Sequence, residues 1–137
     1  MAGYSSTPLP KKLCIKEGAR VALVKAPEGF ESALGELPAG AELVSSWRMG
    51  FDVVLLFARS RDELASHFQT YAARIKSDGS LWVAWPKKSS GVRTDLTEDV
   101  IRLHGLDAGL VDVKVCAVDE TWSGLRFVYR LKDRPRR

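Results

Sequence analysis

Cysteine is scarce in this sequence, with only Cys14 and Cys116 in a chain of 137 residues. Two thiols are too few for a secreted disulfide framework, and they lack the paired spacing of a zinc site. A reduced, cytoplasmic setting and no bound metal are therefore the expectations. Histidine is equally sparse, with two residues. His67 borders one face of an expected helix with no second ligand a turn away, which argues for packing rather than metal binding. No apolar run approaches the roughly 20 residues needed to cross a bilayer, and no apolar signal segment opens the chain, so a soluble protein without membrane contact is expected. The usual catalytic signatures are missing as well. Ser89 and Ser90 lie in no Gly-x-Ser-x-Gly elbow, and Lys87 and Lys88 belong to no Walker loop. Asp119 and Glu120 are adjacent, so in extended chain they point to opposite sides and make a poor acid/base pair. Salt bridging to the lysine loop is the expected role of that pair, and an enzyme is disfavoured.

A basic face is also lacking. The formal net charge is +4, and the last eight residues alone, with five bases and one acid, account for it. The rest of the chain is balanced. Nucleic-acid binding is thus disfavoured apart from nonspecific contact by this tail. Nothing in the sequence sets an oligomeric state.

What is present is organised around residues 81–98. Leu81 to Trp85 are five consecutive apolar residues, a pattern typical of a strand buried on both faces under helices. Pro86 stops it. A loop carrying Lys87, Lys88, Ser89 and Arg93 follows, and Thr94 or Asp95, with Glu98 behind it, predicts a helix N-cap. Residues 20–24 and 53–58 read as two further buried strands. Between them, 27–37 is expected to be a helix and 41–44 a weak strand of open orientation, and the 45–52 link leaves no room for a helix. A helix capped by Ser60 is expected to run to about Lys76 with Leu64, Phe68, Tyr71, Ala72 and Ile75 inward, and 77–80 to form a turn. The helix after the cationic loop is expected to run to about Ala108, with Leu96, Val100, Ile101 and Leu103 available for packing and Gly109 as its stop. Residues 111–117 and 125–131 alternate apolar with polar, which predicts an antiparallel hairpin at a sheet edge, joined by 119–124.

These elements add up to an α/β chain: a single-domain Rossmann-like three-layer sandwich with a mostly parallel sheet of about six strands and a C-terminal antiparallel hairpin. The domain is expected over 13–131, after a flexible lead-in at 1–12 and before a basic disordered tail at 132–137. At this length one core buries roughly two thirds of the unfolded surface.

The glycine-led strand at 18–24, the central strands each followed by a helix, and the terminal hairpin resemble a class I methyltransferase domain. Where that fold carries a glycine-rich cofactor loop, this chain has Lys25, Ala26, Pro27, Glu28 and Gly29. Ser45 and Ser46 replace the acid after the second strand, and Arg59 and Ser60 replace the motif after the fourth. The resemblance implies the fold without the cofactor motif, and no cofactor is expected. Over nearly its whole length the chain is similar to a bacterial family of short single-domain proteins, domain-of-unknown-function family 3052, through Trp82 to Gly91, Thr94 to Val100 and Lys114 to Leu125. That resemblance brings no activity with it.

In an open α/β sheet, ligands bind beyond the carboxyl ends of strands. Four loops are expected to meet there in one pocket: 25–30, 59–60, 86–93 and 119–124. The candidate ligand-binding residues are Lys25, Glu28, Gly29, Arg59, Lys87, Lys88, Ser89, Arg93, Asp119 and Trp122. With a helix N-terminus beside the lysines, the expected function is a non-catalytic module binding an anionic small molecule, nucleotide or partner through the Lys87 loop. The alternative is a small methyltransferase-like transferase with an atypical cofactor site.

Overall fold

The computed structural model describes residues 7–130. The tail at 132–137 and the start of the lead-in at 1–12 lie outside the described residues. The chain begins with a one-turn helix α1 (Leu9–Lys12), then β1 (Arg20–Val24), α2 (Phe30–Leu34), β2 (Glu42–Leu43), β3 (Phe51–Phe57), α3 (Arg61–Ala72), β4 (Ile75–Pro86), a 3₁₀ turn (Lys88–Ser90), α4 (Glu98–Asp107), β5 (Leu110–Ala117) and β6 (Trp122–Tyr129). The six strands form one sheet in the order β2-β1-β3-β4-β6-β5. The first four are parallel; β6 runs antiparallel to β4, and β5, antiparallel to β6, points the same way as the first four.

The contrast between continuous and alternating apolar runs explains this order. Val53 to Phe57 and Leu81 to Ala84 are buried on both faces, so they occupy the middle, while Val113 and Val115 of β5 are about half exposed at the edge. One core lies under α3 and α4, where Leu64, Phe68 and Ile101 meet Val54, Leu56, Val83 and Phe127. The other lies under α2 and the segment after α1, where Leu13, Ile15, Phe30 and Leu34 meet Val53, Leu55, Phe57 and Trp82. Helices on both faces of a sheet make three layers. Trp82 fastens the N-terminal segment by donating its indole N–H to Leu13 O at 3.0 Å.

Several local expectations are corrected. The 27–37 helix shrinks to five residues because Gly29 and Gly35 both take positive φ, 82° and 81°. The 41–44 strand is parallel to β1, with Arg20 opposite Glu42. Residues 77–80 are not a turn but the start of β4, and α3 ends at Ala72 rather than Lys76. A bulge between Phe51 and Val53 lets β3 follow that start. Gly79 permits the contact, since a Cβ there would lie 2.8 Å from Phe51 O. Ser60 does cap α3, accepting from Glu63 N at 3.1 Å. The cap of α4 is Thr97, which accepts from Val100 N at 3.2 Å, in place of Thr94 or Asp95. Asp95 instead accepts from Arg61 N at 2.8 Å, at the start of α3. Leu103 faces solvent, whereas Gly105 lies against the Phe127 ring.

Candidate functional site

The chain moves outward from β1 to β2 and then back across to β3, so the sheet's switch point lies between the carboxyl ends of β1 and β3. This crevice is filled by the protein itself. Phe57, the last residue of β3, packs edge-on against Phe30 at 4.8 Å and against Trp122 at 5.0 Å between ring centroids. Above them the Arg59 guanidinium sits 5.0 Å from the Trp122 ring centroid. It also donates from both terminal nitrogens to Lys25 O at 3.3 Å and pairs with Glu63 at 3.7 Å. Lys25 holds a left-handed φ of 60°, uncommon for a residue with a side chain, and this aims its carbonyl at Arg59. Trp122 is buried as the first residue of β6, and not in the preceding turn. Its indole covers the sheet end.

At the carboxyl end of β4 the surface is open. A cleft of about 600 Å³ lies between the 3₁₀ turn and the start of α4. Trp85, Pro86, Val92 and Leu96 give it apolar walls, and Lys88, Arg93 and Glu98 give it charge. Lys88 and Arg93 are exposed and take part in no ion pair among the described residues. Glu98 is already engaged by Arg102, whose guanidinium is held well above its ordinary pKa by hydrogen bonds to Asp112 first and Glu98 second. The turn that presents Lys88 is rigidly built. Ser90 Oγ donates to Lys87 O at 2.6 Å and accepts from Val92 N at 3.1 Å, and Gly91 supplies the left-handed residue after it.

The four loops expected to share one pocket therefore separate. Lys25, Glu28 and Gly29 line a shallow cleft of about 540 Å³ beyond β1. Lys88 and Arg93 line the cleft beyond β4, while Arg59 and Trp122 form the filled corner between. Lys87 is half-buried, its backbone N–H donating to Thr121 O at 2.8 Å, and Ser89 is exposed outside the cleft lining. Asp119 does not bridge to the lysines among the described residues. One of its carboxylate oxygens accepts from Thr121 N and Trp122 N, both at 2.8 Å, and so closes the β5–β6 turn. Trp85, Val92 and Leu96 are the cleft residues that sequence reasoning missed, because an apolar residue next to a strand or helix end reads as core. No group of three or more His, Cys, Asp or Glu side chains placed to hold a metal occurs among the described residues, and no helix among them is long and apolar enough to cross a membrane.

The model of the family described as Protein of unknown function (DUF3052) matches residues 28–131. The chain belongs to this family. The matched span takes in the filled corner and the open cleft together. No curated protein matches the chain's sequence. Among solved structures, it is similar to a TehB-like SAM-dependent methyltransferase from Corynebacterium glutamicum, at TM-score 0.59 and 10% identity, covering 94% of this chain and 91% of that one. A SAM-dependent methyltransferase from Aquifex aeolicus matches at TM-score 0.61 and 14% identity, over 85% of each chain. Fibrillarin from Aeropyrum pernix, with natively bound S-adenosyl-L-methionine, matches at TM-score 0.56 and 14% identity, over 89% of this chain and 69% of that one. At such identities the likeness is one of fold: the DUF3052 chain has the Rossmann-like architecture of class I methyltransferases.

Proposed function

We propose that this chain is a non-catalytic Rossmann-like module that holds an anionic small molecule, of the nucleotide or phosphometabolite class, in the cleft beyond β4. The observation that carries this reading is the pair Lys88 and Arg93, two cations without ion-pair partners among the described residues, on the rim of an apolar cleft. Charge-assisted hydrogen bonds from such groups contribute about 1.5 to 3 kcal/mol when partly desolvated. Trp85 and Val92 offer a surface for a planar or apolar ligand body. The polar residues of the cleft other than the cations are already engaged: Glu98 is tied to Arg102, Thr97 caps α4, and Thr94 Oγ1 donates to Arg59 O at 2.7 Å.

Transferase action is a second reading, favoured by the fold likeness and by the cleft beyond β1 lined by Lys25, Glu28 and Gly29. Against it stands the aromatic corner, where Arg59, Trp122 and Phe30 occupy the switch point. Thermal unfolding in the presence of nucleotides, phosphorylated sugars and S-adenosylmethionine separates the two. A ligand at a hundred times its Kd stabilises the native state by about 2.7 kcal/mol. The expected result is a shift with phosphorylated compounds that is lost in Lys88→Ala/Arg93→Ala. A shift with S-adenosylmethionine alone would move the function to the β1 cleft.

A further inference from the structure

The opposite edge of the sheet carries a third, separate cleft. It has a volume of about 370 Å³ and draws its lining from five separated stretches, including Cys14, Lys16 and Glu17, Asp52, Lys76 to Ser80, and Arg126. The floor is buried. Ser80 is 2% exposed, and its hydroxyl accepts from Arg126 Nε at 2.7 Å. That bond fixes a half-buried guanidinium whose two terminal nitrogens have no acceptor among the described residues. A guanidinium with both terminal N–H groups directed to one side is a fork that fits a carboxylate in two parallel hydrogen bonds.

The charges around it are balanced but only partly paired. Asp52 is spoken for by Lys76 at 3.0 Å and by Arg20 N at 2.8 Å. Lys16 and Arg126 remain as cations, Glu17 and Asp78 as anions, and none of the four enters an ion pair among the described residues. A dianion would leave both acids repelling it, and a plain cation would face Arg126 and Lys16. A molecule carrying one charge of each sign satisfies both. The site is also built by special backbone: Cys14 holds φ 63°, and the β3–β4 bulge beside Asp52 re-aims the start of β4 into the cleft.

We propose that this cleft binds a small zwitterion of the α-amino acid class, its carboxylate on Arg126 and its ammonium facing Asp78 and Glu17. The volume suits a free amino acid, lying at the small end of the roughly 300 to 1,000 Å³ typical of ligand sites.

The test is titration of the isotope-labelled full chain with each of the common L-amino acids, followed by amide NMR shifts, with propionate, ethylamine and inorganic phosphate as controls. At least one amino acid should move the amides of residues 16–19, 52 and 78–81 and leave those of 88–93 in place. Arg126→Gln should weaken that binding by about tenfold or more, the loss of two charge-assisted hydrogen bonds. Asp78 is exposed, so Asp78→Asn keeps the test available if Arg126→Gln unfolds. It should weaken the amino acid several-fold and leave propionate unaffected. The proposal falls if no amino acid shifts these amides, if propionate or phosphate binds as well as the amino acid, or if a folded variant binds it unchanged.

Discussion

Two corners of the same sheet edge meet the same problem, a cation beyond the end of a buried parallel strand, and resolve it differently. Beyond β3, Arg59 is consumed by its neighbours: a carbonyl, a carboxylate and an indole face. Beyond β4, Lys88 and Arg93 stand on the rim of an apolar cleft with no ion-pair partner among the described residues. Position relative to the sheet therefore does not by itself designate a site. What distinguishes the corners is whether the cation's hydrogen-bonding capacity is already used.

The harshest way to break this comparison is to remove the aromatic filling of the closed corner. Phe57 is fully buried and touches both Phe30 and Trp122. Phe57→Ala should cost about 3 to 5 kcal/mol, the range for deleting a buried aromatic ring, measured by urea unfolding. A loss below about 1 kcal/mol would mean that the corner collapses easily and is not a structural plug. Next comes the seat of α4, whose first residue and cap, Glu98 and Thr97, line the open cleft. A Cβ at Gly105 would lie 2.0 Å from the Phe127 ring, so Gly105→Ala must push the helix outward or displace the ring. The helix-propensity gain of about 1 kcal/mol is outweighed by overpacking of about 1 to 3 kcal/mol. Net destabilisation is expected, with weaker ligand binding beyond β4. A stabilised variant would show that the helix can shift freely and that the cleft has no fixed wall.

Most of the architecture was legible because burial writes itself into runs of residue type. Val53 to Phe57 and Leu81 to Trp85 announced interior strands, and the alternation at 111–117 announced the edge hairpin. The misreadings share a cause, which is that local composition was overruled by a partner strand or by a single backbone angle. Ser77, Asp78, Gly79 and Ser80 have turn composition, yet β3 pairs with that segment through its bulge. Gly35 looked like an ordinary helix residue until its φ of 81° ended α2. Thr94 and Asp95 both read as caps, yet Thr94 Oγ1 donates to Arg59 O and Asp95 accepts from Arg61 N, which leaves the cap of α4 to Thr97. The candidate site was legible in its cations and not in its walls. The amino-edge cleft was invisible, since its lining comes from residues as far apart as Cys14 and Arg126.

Removing the two cations on the rim of the open cleft should affect binding alone. In Lys88→Ala/Arg93→Ala, affinity for a phosphorylated ligand is expected to drop by at least about tenfold, since each charge-assisted contact contributes about 1.5 to 3 kcal/mol. Stability should stay within about 0.5 kcal/mol, as usual for exposed substitutions. Calorimetry paired with urea unfolding reads both numbers. Lost stability with unchanged affinity would make the lysine turn a clasp on the β5–β6 connection.

The smallest effect is expected at Arg59, and it decides whether the two corners are independent. An exposed cation–π contact contributes about 0.5 to 1 kcal/mol, and an i,i+4 ion pair such as Arg59–Glu63 about 0.3 to 0.5. The hydrogen bonds to Lys25 O are long, at 3.3 Å each, and add little. Arg59→Ala should therefore lower stability by about 0.8 to 1.5 kcal/mol, while the aromatic packing of the buried Trp122 on Phe57 stays intact. Binding beyond β4 should be unchanged, because Arg59 is absent from the lining of that cleft. If Arg59→Ala instead abolished binding of the same phosphorylated ligand, the guanidinium would have to leave Lys25 O and Glu63 when the ligand arrives. The filled corner would then be a displaceable part of a single site.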